Sequence, residues 1–209
     1  MPSQPIRPPA VALALALLAA GAMLVAVTSP SGAATRSPGT RCGGTLWRLM
    51  TLSDPDRNRV NLHGERTTIA KLAALQAPGR IRPARTTPFQ RQVWSMRTVV
   101  DRYRIASNGE IVLSLYSIES AQYMNAYLPS PHCLGSDARD RTGMIAARRE
   151  LTTHCPAVTV AWQLIGVTVD IGGVGFWNPS TTTRGALRNG AELRPLTNFK
   201  IVSGCGVGS

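Results

Sequence analysis

Lysine is nearly missing from this chain. Lys71 and Lys200 are the only two, so a formal charge of +12 rests almost wholly on arginine. After Arg7 and Arg36 the arginines are scattered from Arg41 to Arg194 with no dense run, so no single stretch marks a polybasic tail. A balance of this size fits an anionic partner, such as nucleic acid, an acidic envelope polymer or a membrane surface, and it equally fits a compositional habit. Histidine is as scarce, with His63, His132 and His154 as the full set. His132-Cys133 and His154-Cys155 form two adjacent pairs, and adjacent side chains do not aim at one ion as the C-x2–4-C and H-x3–5-H spacings of zinc sites do. The chain also lacks a G-x-S-x-G nucleophile elbow. Gly172-Gly173-Val174-Gly175 is followed by no Lys-Ser/Thr and is therefore no phosphate loop. Acids number only 11, and Asp101, Glu110 and Asp170, the carboxylates a calcium-dependent barrel nuclease would need, show no distinguishing spacing. The expectation is no catalytic centre, no cofactor and no metal.

What is present begins with a leader. Residues 1–34 read as a secretory signal peptide: Arg7 gives a thin positive start, Ala10 to Val27 is an unbroken apolar run, and Gly32-Ala33-Ala34 offers small residues for cleavage. If cleavage failed, the run would just span a bilayer as an anchor. No cysteine stands directly after it to accept a lipid. After cleavage the chain is expected to have no integral membrane span and to be secreted or held in the cell envelope, with one domain's worth of residues remaining.

All four cysteines lie in the exported part. An even count in an oxidising compartment reads as two disulfides, with three connectivities open. The favoured pairing is Cys133 with Cys155, bracketing a helical segment, and Cys42 with Cys205, tying the start of the domain to its end.

Residues 35–91 read as an N-terminal extension with a short helix and a basic linker. Asp54, Asp56, Asn58 and Glu65 match positions 1, 3, 5 and 12 of a calcium loop, but Arg59 stands where the loop needs glycine. A polar loop is the expected reading. Thr67-Thr68 then caps a helix over IAKLAAL, which Pro78-Gly79 ends. Arg80 to Pro88, RIRPARTTP, reads as a solvated connector.

The core, residues 92–203, reads as mainly β. Val93 to Ile105 and Glu110 to Tyr116 are strands joined at Asn108-Gly109, the strongest hairpin signal in the chain. Gln122 to Leu128 is a third strand, and Asp137 to Leu151 a helix capped by Ser136 or Asp137. Val158 to Ile165 is strand-like and leads into GVTVDIGGVGFWN, where Val167, Val169 and Ile171 alternate with polar residues until glycines interrupt. Leu193, Leu196, Phe199 and Ile201 mark a returning strand. The resulting β-β-β-α-β-β order is that of a small OB-like β-barrel in the α+β class.

VDIGGVGFWN followed by NGAELRP resembles the C-terminal signature of a family of uncharacterised secreted bacterial proteins, in which a GVGFFD-like strand leads through a His-Gly-Gln loop to an IELHP strand. CGGTLWRLMTLSD from Cys42 and YLPSPHC from Tyr127 fit the same family's opening and middle. The resemblance implies export and carries no activity. Thr181 to Thr183 replace the loop histidine and Arg194 the second one, which leaves no histidine pair here for a metal or acid/base role.

An OB-like barrel most naturally binds polymers across its second and third strands. Arg97, Arg102 and Arg104 would meet anionic groups while Tyr116 and Tyr123, with Tyr103 and Tyr127 as further candidates, stack on bases or sugars. The expected function is a non-enzymatic module with weak affinity for anionic polymer. A structural or interaction protein of the envelope and the calcium-dependent nuclease are the alternatives.

Overall fold

The computed structural model describes residues 42–206, and the leader reading of 1–34 lies outside them. The elements run α1 (Trp47–Met50), β1 (Asn61–Arg66), α2 (Ile69–Ala73), β2 (Gln92–Ile105), β3 (Ile111–Ser117), β4 (Gln122–Leu128), α3 (Arg141–His154), β5 (Gln163–Trp177) and β6 (Ala191–Ser203). The protein is mainly β. Six strands form one mixed sheet in the order β1-β2-β3-β4-β6-β5, and β2 pairs with β5 as well, so β2, β3, β4, β6 and β5 close into a ring. Every pairing within the ring is antiparallel except β4 with β6, which meet in parallel at Ala126 and Leu193.

Alternation decides what fills the ring. Leu113, Leu115, Met124, Ala126, Val167, Val169, Leu193 and Ile201 belong to one buried cluster, which Ile69 and Leu72 of α2 and Ala147 and Leu151 of α3 complete. On β2 the inward set is Met96, Thr98 and Val100, then Tyr103 in place of residue 102. The slip comes from a bulge at Asp101, where register jumps between Val100 and Arg102 against both β3 and β5. The extra residue bends this 14-residue strand around the ring and turns Arg102 and Arg104 outward. Gly175 on β5 serves another need: a Cβ there would drive into the Phe89 carbonyl, so glycine lets the Pro88–Arg91 turn lie against the strand.

Several expectations need correction. The polar segment before α2 ends in β1, a parallel edge strand that pairs with β2 by backbone while all six of its residues remain exposed, so no burial pattern announced it. The helix starts later than Asp137, at Arg141, because Gly135 to Ala138 closes a turn and Asp140 takes a left-handed backbone (φ 57°) at the cap. Residues 158–162 are not strand, and β5 begins only at Gln163. The stretch 80–88 is not solvated throughout: Arg85 is 1% exposed, with Nε and Nη2 on both oxygens of Asp54 and its remaining donors on the carbonyls of Leu49 and Gln90.

The disulfides join Cys42 to Cys133 and Cys155 to Cys205, not Cys133 to Cys155 and Cys42 to Cys205. Tertiary packing explains the exchange. Helix α3 lies along β6, as the bond from Ile201 N to Glu150 Oε1 (3.3 Å) reports, so the residue after the helix meets the residue after the strand. Cys133, beyond β4, is left for the incoming N-terminal segment. The closed loops span 91 and 50 residues, each worth about 4–5 kcal/mol in the chain-entropy account. Among the described residues no helix is long and apolar enough to cross a membrane.

Candidate functional site

Strand register turns the outer face of the ring into a grid. Across β2, β3 and β4 stand the rows Val99-Tyr116-Tyr123, Arg102-Ser114-Asn125 and Arg104-Val112-Tyr127. The parallel step from β4 to β6 adds Glu192 beside Asn125 and Arg194 beside Tyr127. The Tyr116 and Tyr123 rings pack at 4.8 Å between centroids with a 42° tilt, and Tyr123 is 39% exposed.

The β6 end of the grid is buried and ionic. Arg194 donates from Nε (3.0 Å) and Nη2 to Glu110, and its guanidinium lies 4.1 Å from the Tyr127 ring centroid. Burial pulls the Arg194 guanidinium down, but Glu110, with Tyr127 and Glu192 adding to it, holds it above its ordinary value. Glu192 Oε1 accepts from the Tyr127 hydroxyl (3.2 Å) and from Asn178 Nδ2 (2.8 Å). Burial pushes the Glu192 carboxyl up to about 7, against the pull of those donors and of Arg194. Burial likewise raises the Tyr127 phenol and lowers Arg148, whose Nη1 donates to the carbonyls of Gly109, Leu128 and Pro129.

The loop between β5 and β6 covers the middle of the grid. Asn178 N donates to Gly190 O at its base (2.8 Å), Leu187 enters the core, and Asn189 Nδ2 donates to the carbonyls of Leu72, Ala73 and Leu75 at the end of α2. Gly185 (φ 81°) lies against β3 and β4, where a Cβ would come within 2.5 Å of Ser114 Oγ and 2.8 Å of Asn125 Oδ1.

The opposite side of the grid opens into two adjoining grooves. One, of about 510 Å³, is lined by Arg66, Ser95, Arg97, Asp170 and Asn198, and the other, of about 430 Å³, by Thr68, Val99, Tyr116, Ser117, Ile118 and Glu119 among others; both share Thr67, Met96 and Arg97. Arg97 donates bidentately to Asp170 (2.8 and 2.7 Å). That bond, with Lys200 and Arg66 nearby, holds the Asp170 carboxyl below its usual range. Three cations thus surround one carboxylate at one end of a path that leads to the tyrosine pair.

Of the residues singled out in the sequence, Arg97, Arg102, Arg104, Tyr116 and Tyr123 all come to this outer face. Their states differ. Arg97 is open to solvent, Arg102 Nε sits 3.3 Å from Asp101, and Arg104 lies 5.1 Å over the Trp162 ring. Tyr103 points inward and donates to Pro156 O. The calcium-loop set does not assemble: Asp54 is buried on Arg85, Asp56 accepts from Arg59, and Asn58 sits in a short 3-10 turn while Glu65 is in exposed β1. The three nuclease carboxylates each face a different arginine, Asp101 with Arg102, Glu110 with Arg194 and Asp170 with Arg97. Among the described residues no group of three or more His, Cys, Asp or Glu side chains is arranged to hold a metal. Ser114, Asn125, Asn178 and Glu192 escaped the sequence reading because each is a lone polar residue in or beside a strand, and only the Arg194 departure in NGAELRP pointed at their neighbourhood. No family model, curated protein or solved structure matches the chain.

Proposed function

We propose that the ring is an OB-like β-barrel and that the protein is an exported binding module for an anionic polymer, held along the grooves from Arg66 and Arg97 to Tyr116, with Lys200 beside Asp170 at one end and Tyr123 packed on Tyr116 at the other. The observation that carries this reading is the continuity of the two grooves through Arg97, which puts cations and an aromatic pair on one path. Exposed arginines supply sequence-independent attraction to a charged backbone, and aromatic faces stack on planar or ring-shaped units. The Arg97–Asp170 pair is exposed, so Arg97 is within reach of a polymer anion from solvent. Elsewhere the arginine content serves the fold: Arg85, Arg139, Arg148 and Arg194 are tied to carboxylates or carbonyls. Net charge alone therefore does not define the site.

The test separates a site from a general field. Arg66→Ala with Arg97→Ala is compared with Arg82→Ala with Arg188→Ala, which removes the same charge from exposed loop positions, by titrating a polyanion at several salt concentrations. The groove pair is expected to lose about tenfold in affinity and to flatten the salt dependence, and the loop pair to lose about twofold or less. Equal losses would remove the site and favour a structural protein of the envelope.

A further inference from the structure

The row Ser114-Asn125-Glu192 carries polar atoms without a hydrogen-bond partner. Ser114 Oγ, both amide atoms of Asn125 and Glu192 Oε2 are buried and unbonded, the three residues are at most 1% exposed, and Arg102 beside them has its Nε on the Asp101 carboxylate at 3.3 Å. Buried polar groups are satisfied almost everywhere in folded proteins, so a contiguous row of orphans is a place where something else belongs. The cover over them is a poor partner. Gly185 rests on Ser114 and Asn125 without donating to or accepting from either, while the loop's own bonds are made at its base and within its exposed tip, as between Ser180 and Thr182.

We propose that residues 179–186 are a lid over a subsite that takes one sugar unit of an acidic saccharide polymer; this rests on the polymer reading above. The chemistry of the row selects the ligand. It offers a guanidinium donor, a hydroxyl and an amide that each donate and accept, and a carboxyl acceptor, which is the mixed set that neighbouring sugar hydroxyls complement. A bare phosphate would use only the donors and would face Glu192. The Tyr116–Tyr123 pair lies one row away, where the next sugar ring would pack. Opening the lid between Asn178 and Leu187 bares Ser114 and Asn125, the residues Gly185 lies against, while Leu187 keeps its place in the core.

The test titrates the full protein with a hyaluronan oligosaccharide and with a single-stranded oligodeoxynucleotide of equal charge, which has no vicinal hydroxyls. Wild type is expected to prefer hyaluronan at least fivefold. Asn125→Leu and Ser114→Ala should abolish that preference while leaving the melting temperature equal or higher, since each removes orphaned atoms. Gly185→Ala forces the loop off Ser114 and should speed amide exchange over 180–186 and raise hyaluronan affinity. Equal binding of the two probes by wild type, an unchanged preference in Asn125→Leu, or no rise in affinity with Gly185→Ala would each overturn the lidded sugar subsite while the polymer groove stands. Binding of neither probe would overturn the polymer reading and this inference with it.

Discussion

Glu192→Gln offers a test of the buried grid that does not depend on any ligand. The Glu192 carboxyl rises from an ordinary 4.5 to about 7, chiefly because burial disfavours its charged form. In the unfolded chain it ionises near 4.5, so folding must hold protons that the unfolded state gives up. Its contribution is therefore most favourable below pH 4.5 and is lost as pH rises toward 7, after which the loss is constant. At 1.36 kcal/mol per pH unit, a span from 4.5 to about 7 corresponds to about 3 kcal/mol. Gln cannot ionise and keeps an oxygen to accept from Tyr127 and Asn178. The measurement is urea unfolding of wild type and Glu192→Gln from pH 4 to pH 8 with disulfides intact. Subtracting the two curves cancels the histidines and the other carboxylates. The difference is expected to be flat below pH 4.5, to grow in favour of the variant between pH 4.5 and 7, and to level at about 3 kcal/mol. A difference that stays flat across the range would show that Glu192 ionises normally and that the grid is open to water.

Asp54→Ala leaves the Arg85 guanidinium buried with carbonyls alone and should cost about 3–5 kcal/mol in urea unfolding, whereas Asp54→Leu with Arg85→Met should restore most of the loss. A small effect of Asp54→Ala would mean that Arg85 reaches solvent. Gly175→Ala should destabilise by about 3 kcal/mol or more, because the new methyl meets the Phe89 backbone and not a yielding side chain. Peptide mapping without reduction should recover Cys42 with Cys133 and Cys155 with Cys205, and any peptide joining Cys133 to Cys155 would contradict the packing of α3 along β6.

The strands of the ring were legible where side chains alternate and turns are marked. Asn108-Gly109 closes the β2–β3 hairpin with Gly109 at φ 77°, and β4 occupies the residues its pattern assigned. What escaped depends on distant partners. Strand β1 carries no inward face, so its polar residues look like loop, and Arg85 looks solvated until Asp54, 31 residues away, is placed beside it. The cysteine pairing follows from where α3 lies and not from spacing along the chain. The outer-face residues were partly readable: Tyr116 and Tyr123 share a face by simple alternation, whereas the bulge at Asp101 decides that Arg102 and Arg104 join them. Ser114, Asn125 and Glu192 look like tolerated polar residues in sequence, and their burial comes from distant segments, Gly185 against the first two and Tyr127 and Asn178 around the third.

The two disulfides enclose separate stretches, 42–133 and 155–205, and the exposed tip with Arg184 falls inside the second. A protease that cuts at Arg184 therefore releases nothing, since the Cys155–Cys205 bond still holds both sides of the break. The nicked protein would run as one molecule until reduced. A cut between 134 and 154, by contrast, would leave the halves with no covalent link between them, and 141–154 of that segment is folded as α3. For a chain read as exported, this arrangement confines the damaging cuts to a segment that is mostly folded helix, and leaves the loop over the outer face free to be sequence-variable and exposed without endangering the integrity of the chain.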